Sequence, residues 1–268
     1  MAINALYSAS SGLAALDTAL DVTANNLANV NTPGYKASRT NFQDLLYIEK
    51  EQPGAINAND DQRPIGLYVG LGVRVSGTQL DFTQGAPQFT GRPLDITIDG
   101  EGFFVVTVEP SLGGGTAYTR AGNFALNSDG DIVMANNQGY RLDPNINIPP
   151  DATNISISSD GKVYYTSPGE TEQTEAGTIQ LATFANPAGL AQIGTNLYTQ
   201  TDASGDAVTG EPSTDQRGSL QQSFLESSNV DPTRELIDLI RTQRAFEMNS
   251  QSIRAADESL RTVSQLRR

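Results

Sequence analysis

The chain contains no cysteine, no histidine and no tryptophan. Without cysteine it can form no disulfide, presents no thiolate nucleophile and builds no zinc-thiolate site. Without histidine it lacks the usual general base near neutral pH and the commonest metal ligand. Many enzyme mechanisms fall away together, though carboxylate chemistry survives. No cofactor and no metal are expected. There is no run of about 18 apolar residues, so neither a transmembrane helix nor direct membrane insertion is expected. No Lys or Arg precedes Lys36, so the N-terminus has neither the basic start nor the apolar stretch of a cleaved secretory signal. An exported chain of this kind is expected to keep its N-terminus intact.

What is present is 268 residues, 37% of them hydrophobic, with 25 Gly and 13 Pro. That composition is rich in turns yet apolar enough for a sizeable core. The net charge of −14 is unevenly spread. Residues 1–46 sum to −1 and residues 229–268 to +1, so residues 47–228, with 22 acids against 8 bases, carry the whole excess. Such a middle repels nucleic acid, which is excluded as a partner. An acidic surface of this sort suits solubility or basic protein partners.

The two ends read as helices. Leu6, Leu13, Leu20 and Leu27 recur every seven residues, and Ala9, Leu16, Thr23 and Val30 fill the second position of a heptad seam. Eight alanines before Thr32 allow neighbouring helices to approach closely. The helix should stop near Asn29–Asn31, because Thr32 precedes Pro33 and Pro33-Gly34 suits a turn. At the other end, Asp231-Pro232 is an N-cap followed by proline at the first helical position. Leu239, Phe246, Ile253 and Leu260 then recur every seven residues, with Thr242, Asn249, Ala256 and Val263 between them. Each helix should run about 30 residues. One antiparallel pair buries little, and single helices are marginal in water. The pair is therefore expected to seek copies of itself.

Between the helices the pattern is that of strands. Leu67, Val69, Leu71, Val73 and Val75 alternate as on one half-buried strand. Leu94, Ile96 and Ile98 alternate likewise, and Phe103–Val108 reads as a strand buried on both faces. Ser128-Asp129-Gly130-Asp131 and Ser159-Asp160-Gly161-Lys162 are matching hairpin turns. Tyr47 to Pro64 has no periodicity and reads as a long connection.

Three constellations invite a chemical reading. Asp95, Asp99 and Glu101 could pair for acid–base work, but alternation with Ile96 and Ile98 turns them towards solvent. Asn127, Asp129 and Asp131 have part of a calcium-loop spacing without its terminal Glu, and a hairpin turn accounts for them. Gly113-Gly114-Gly115 is not followed by Gly-Lys-Ser/Thr, so a loop is the better account than a phosphate cradle. A secreted carboxylate hydrolase or a β-rich adhesin is the alternative from another class, and neither calls for heptad ends.

At Ala24-Asn25-Asn26-Leu27-Ala28-Asn29-Val30-Asn31-Thr32-Pro33-Gly34-Tyr35-Lys36 the chain resembles the N-terminal signature of the bacterial flagellar rod and hook axial proteins. Leu94 to Val106 with Tyr118–Phe124 resembles the body of the longer members. Ser228-Asn229-Val230-Asp231 with Glu235-Leu236-Ile237 and Gln243–Glu247 resembles their C-terminal signature. Length, the stretch Pro64–Val73 and the segment Tyr47–Pro64 are similar to the distal rod type, with a proximal rod or short hook-type axial protein as the alternative.

The resemblance implies an α+β fold in which long N- and C-terminal coiled-coil-type helices pack together around an inserted β-rich middle. Residues 1–46 and 229–268 would form an inner helical assembly domain, 47–64 an extended connection and 65–228 a β-rich outer domain. Leu6, Leu13, Leu16, Leu20, Leu27, Leu239, Phe246, Ile253 and Leu260 would be subunit-interface residues. Asn25, Asn26, Asn29, Asn31, Gly34 and Lys36 carry the N-terminal motif, and Tyr47, Pro53, Gly54 and Pro64 mark the rod-specific connection. The implied partners are copies of the chain in a helical homo-oligomer, proximal rod proteins, the hook protein and the surrounding P- and L-ring proteins. The implied place is the flagellar basal body across the periplasm, reached without a cleaved signal peptide.

Overall fold

The computed structural model describes residues 2–54, 64–169 and 172–266. It is α+β, with a helix at each end and a β-rich middle, and it divides into two compact units.

The first unit takes residues 1–28, 38–80 and 231–268. Helix α1 spans Ala2–Ala28 and ends before the asparagine-rich turn that leads to Pro33-Gly34. Helix α2 spans Pro232–Leu266. Its cap is the one the sequence signals: Asp231 Oδ1 accepts from the backbone N–H of Thr233 at 2.9 Å and Arg234 at 3.3 Å, with Pro232 at the first helical position. Arg267 and Arg268 lie outside the described residues. The helices run antiparallel and in register. Asn26 Nδ2 donates to Glu235 Oε1 at 3.2 Å, and a Cβ on Gly12 would lie 3.2 Å from Asn249 Nδ2. Asn26 and Gly12 are 14 residues apart, as are Glu235 and Asn249.

A β-ribbon lies in the same unit. Strand β1 (Ser38–Asp44) pairs with β4 (Val73–Leu80), and β2 (Tyr47–Glu51) pairs with β3 (Leu67–Gly70), both antiparallel. The alternating run from Leu67 to Val75 is thus not one strand. It breaks at Leu71-Gly72, where the ribbon crosses α1. Gly72 has φ +116°, and a Cβ there would collide with Ser11 Oγ and approach Ser8 Cα to 3.1 Å. The Ser11 hydroxyl accepts from Val73 N–H at 3.3 Å. Tyr47–Pro64, expected to be an extended connection, begins as strand β2, and residues 55–63 lie outside the described residues.

The second unit takes residues 29–37 and 81–230. Its core is a nine-stranded sheet. Phe103–Thr107 lies inside it, paired on one side with Thr116–Thr119 and on the other with Arg141–Leu142 and Leu181–Thr183. Phe103, Phe104, Val105 and Val106 are all buried, as a strand covered on both faces requires. A three-stranded meander, Asn154–Ile157, Lys162–Thr166 and Thr174–Thr178, stands beside it.

The two Ser-Asp-Gly turns are structurally equivalent. Gly130 and Gly161 have φ +85° and +87°. Each carbonyl accepts from an isoleucine N–H 18 residues further on, Ile148 at 2.7 Å and Ile179 at 2.8 Å. A Cβ on either glycine would clash with the carbonyl of that isoleucine, so the turn demands glycine for space as well as for φ. Around the first turn Asn127, Asn145 and Asn147 satisfy the local backbone and Asp131: Asp131 Oδ1 accepts from Asn145 at 3.1 Å and Asn147 at 2.9 Å. These bonds hold the Asp131 carboxyl below its ordinary range.

One expectation is corrected here. Asp95 is not turned to solvent but is 1% exposed. Strand Ser219–Gln222, about 120 residues away in sequence, pairs alongside Ile96–Asp99, and the Asp95 backbone bridges to Asn123 and accepts from Ser223 N–H at 2.7 Å. Asp99 and Glu101 are exposed as expected, so the three acids do not converge.

Candidate functional site

Two features stand out, one in each unit: an uncovered pair of helices, and a buried cluster of charges.

In the helical unit the seam positions are only partly buried. Leu6, Leu13, Leu16, Leu20 and Leu27 on α1, and Leu239, Phe246 and Ile253 on α2, are all half-buried. The side chain of Leu260 lies outside those described. Among the described residues the only fully buried apolar side chain of this unit is Ala15. Twelve of the 14 large hydrophobic residues that are exposed among the described residues belong to it. They include Tyr7 on α1, Leu236, Ile237, Ile240 and Met248 on α2, and Leu46, Tyr47, Leu67 and Tyr68 on the ribbon. Pro53, Gly54 and Pro64 are exposed as well.

Among the asparagines of the N-terminal motif Asn26 is the buried one, at 2% exposure. Its Oδ1 accepts from Ser38 N–H at 3.0 Å and its Nδ2 donates to Ser38 C=O at 2.8 Å. The amide thus mimics a strand partner and starts β1 against the end of α1. Glu235 is the third contact; burial raises its carboxyl pKa, and the Asn26 hydrogen bond works against that. Asn25 and Asn31 stand exposed, and Asn29 is half-buried, its Oδ1 accepting from the Thr32 hydroxyl at 3.2 Å.

The β unit holds Gly34 and Lys36 in its interior. Gly34 has φ +69°, and a Cβ there would lie 2.6–2.8 Å from the Arg120–Ala121 backbone. Its N–H donates to the Glu226 carbonyl at 2.8 Å. Lys36 is fully buried, with Nζ 2.6 Å from Glu226 Oε1 and donating to Thr83 C=O at 2.8 Å. Glu226 Oε1 also accepts from Gly85 N–H at 2.8 Å. Arg120 Nη1 stands 3.5 Å from Glu226 Oε2, Nη2 donates to Gly100 C=O at 2.9 Å, and the guanidinium carbon lies 5.3 Å from the Phe103 ring centroid. Two cations therefore share one carboxylate in the interior. Burial pushes the Lys36 ammonium below its ordinary pKa despite Glu226, and Arg120 is lowered for the same reason. Tyr198, packed edge-on to Phe103 and Phe82, is raised by burial.

This cluster was only half legible in the sequence. Lys36 lies in the N-terminal motif, but its setting read as a turn. Arg120 sits in the quoted stretch Tyr118–Phe124, and Glu226 just precedes Ser228-Asn229. The signal available was that Lys36 is the one charged residue in the stretch Ala24–Lys36.

Comparison with known proteins matches three family models along the chain. The flagella basal body rod protein model covers residues 6–36, the flagellar hook protein FlgE/F/G D1 domain 97–165, and the flagellar basal body rod FlgEFG protein C-terminal model 221–266. Flagellar basal-body rod protein FlgG of Agrobacterium fabrum is 44% identical over 263 residues, 98% of each chain. That of Caulobacter vibrioides is 44% identical, covering 99% of this chain and all of its own. That of Bacillus subtilis is 40% identical, with the same coverage.

Proposed function

This chain belongs to the flagellar basal-body rod protein FlgG family, and from that membership we propose that it is a subunit of the distal rod, polymerising helically into a hollow drive shaft. The observation that supports polymerisation is the uncovered helical unit. Ordering a residue costs about 1–2 kcal/mol of backbone entropy, and burying a large apolar side chain returns about 1.5–3 kcal/mol. A unit whose only fully buried apolar residue among the described residues is Ala15 gains the missing burial from neighbours. The heptad seams supply coiled-coil-type packing, and half-buried Leu13, Leu20, Phe246 and Ile253 complete their burial against adjacent copies.

In this reading the helices form the inner tube and the acidic β unit the outer layer. The tube passes exported subunits through its lumen and carries torque from the proximal rod proteins to the hook protein. The P- and L-ring proteins surround it across the periplasm. The subunit travels without a cleaved signal. The ribbon around Tyr47–Pro64, with Leu46, Tyr47 and Tyr68 exposed, adds contacts between neighbours that keep the shaft straight.

The test is electron microscopy of the purified chain, concentrated at neutral pH, beside a version lacking residues 1–28, which keeps Gly34 and Lys36 in the β unit. Rods from the full chain alone support the reading. Leu20→Asp places a charge in the seam and should abolish rods while the β unit still folds. A Leu20→Asp chain that forms normal rods removes the seam from the assembly.

A further inference from the structure

Helix α2 has a second apolar face, away from its seam. Ile237, Arg241, Arg244, Met248, Gln251 and Ala255 follow one another at spacings of four and three, and every one is exposed. Leu236 and Ile240 flank that stripe, also exposed. The face is bulky and apolar at Ile237 and Met248, basic in between, and small at Ala255. Helix α1 carries a stripe with the converse pattern. Tyr7, Ser10, Ala14, Asp17, Asp21 and Ala24 follow at spacings of three and four, and all but Ser10 answer a feature of the α2 stripe; of the six, every one is exposed. Asp17 and Asp21 are the only charged residues of α1.

We propose that the outer stripe of α2 docks antiparallel on the outer α1 stripe of a second copy of this chain. This rests on the polymer reading above and names the contact. In antiparallel register Asp17 meets Arg244 and Asp21 meets Arg241. Ala14 leaves room for Met248, Ala24 leaves room for Ile237, and Tyr7 covers Ala255. Each bulky residue thus meets a small one and each acid meets a base; a parallel alignment centred on the charges would set Ala14 against Ile237 but leave Tyr7 without a small partner at the same step. Arg241 already lies 3.5 Å from Asp238, but an exposed pair of that kind is weak and easily exchanged. The contact is heterologous: a copy that offers its α2 stripe still has its α1 stripe free for the next. Such contacts propagate into open helical filaments unless the rotation closes a ring.

The absence of native cysteine makes the test clean. Ala14→Cys and Met248→Cys are introduced into one full-length chain, which is concentrated and mildly oxidised. The pairing gives a ladder of covalent oligomers on a non-reducing gel. Asp17→Arg with Asp21→Arg, or Arg241→Glu with Arg244→Glu, sets like charges against each other and should lower the oligomer yield about tenfold. All four positions are exposed, so the chains should remain folded. Mixing the two reversed chains makes opposite stripes meet and should restore the ladder. A ladder indifferent to both reversals, no ladder from the double-cysteine chain, or no recovery on mixing overturns the pairing. Rods formed by the reversed chains would overturn it too while leaving the polymer reading intact, whereas a charge-dependent ladder without rods would do the opposite.

Discussion

Glu226→Gln should weaken the β unit more than Lys36→Met does, although Lys36 and Glu226 form one ion pair. The reason is the count of charges. Lys36, Arg120 and Glu226 are all buried, and together they sum to +1. Glutamine leaves two buried cations facing an amide. Breaking a buried pair from one side in this way costs about 3–5 kcal/mol. Methionine removes one of the two cations instead and leaves Glu226 with Arg120 and the Gly85 N–H. The lowered Lys36 pKa says that burial of its charge outweighs the attraction of Glu226, so losing the charge is not the main penalty. What is lost is the charged donor to the Thr83 carbonyl, which Asn229 Nδ2 still reaches at 3.2 Å; such a bond is worth about 1–3 kcal/mol. The assay is urea unfolding followed by near-ultraviolet circular dichroism of tyrosine, to which buried Tyr118 and Tyr198 of this unit contribute. With a slope of about 2 kcal/mol/M, Glu226→Gln should lower the midpoint by about 1.5–2.5 M and Lys36→Met by about 0.5–1.5 M. A Lys36→Met midpoint as low as that of Glu226→Gln, or lower, would refute the sharing of one carboxylate by two cations.

The same cluster fixes a pH dependence. Between the lowered Lys36 pKa and the ordinary 10.5, the unfolded chain holds a proton that the folded chain has released, so stability rises with pH there. The gap in urea midpoint between the native chain and Lys36→Met should therefore widen as pH rises towards 10.5, and a gap that narrowed would contradict the assignment. Gly34→Ala puts a methyl against the Arg120–Ala121 backbone at positive φ and should cost the β unit more than about 1 kcal/mol, read as a lower melting temperature of a chain lacking residues 1–28. Asn26→Ala removes both bonds to Ser38 and should cost about 1–3 kcal/mol, visible as faster amide exchange at Ser38 with no change at Phe104.

Local signals were legible in the sequence and distant ones were not. The end of α1, the Asp231 cap and the two Asp-Gly hairpins each depend on residues within about five positions, and each lies where the pattern put it. The alternation from Leu67 to Val75 was real, but what divides it is Ser11, some 60 residues earlier, pressing on Gly72. Asp95, Ile96, Thr97 and Ile98 are all buried, so alternation fails there; the Asp95 backbone bridges to Asn123 and accepts from Ser223 N–H, residues far along the chain. Lys36 shows the limit most sharply. Its composition-poor neighbourhood looks like a turn, and its meaning lies in Glu226, 190 residues on. In the helical unit the expectation that one antiparallel pair buries little agrees with the half-buried Leu13, Leu20, Phe246 and Ile253, while the extent of that burial was beyond the sequence, since periodicity gives a face without saying how much of it one partner helix covers.

Asn229 joins these threads, because the chain passes between the two units at 28/29, 37/38, 80/81 and 230/231. Three of those crossings are tied together inside the β unit by one side chain. Asn229 Oδ1 accepts from Ala37 N–H at 2.7 Å, and Nδ2 donates to the carbonyls of Asp81 at 2.7 Å and Thr83 at 3.2 Å. Its own N–H donates to Tyr35 C=O at 3.4 Å. In a shaft, force that passes along the chain from the helical unit into the β unit would reach three of its four crossings joined in one knot. Asn229→Ala cuts the side-chain ties while leaving the Lys36–Glu226 pair in place. At about 1 kcal/mol for each of two good bonds, local opening should become about thirtyfold more frequent, since 1.4 kcal/mol is a factor of ten. Amide exchange at Ala37 and Asp81 should accelerate to that degree, and exchange at Ile96 and Phe104 in the sheet should not. If the sheet amides accelerate equally, the side chain contributes to global stability alone and the knot has no separate existence.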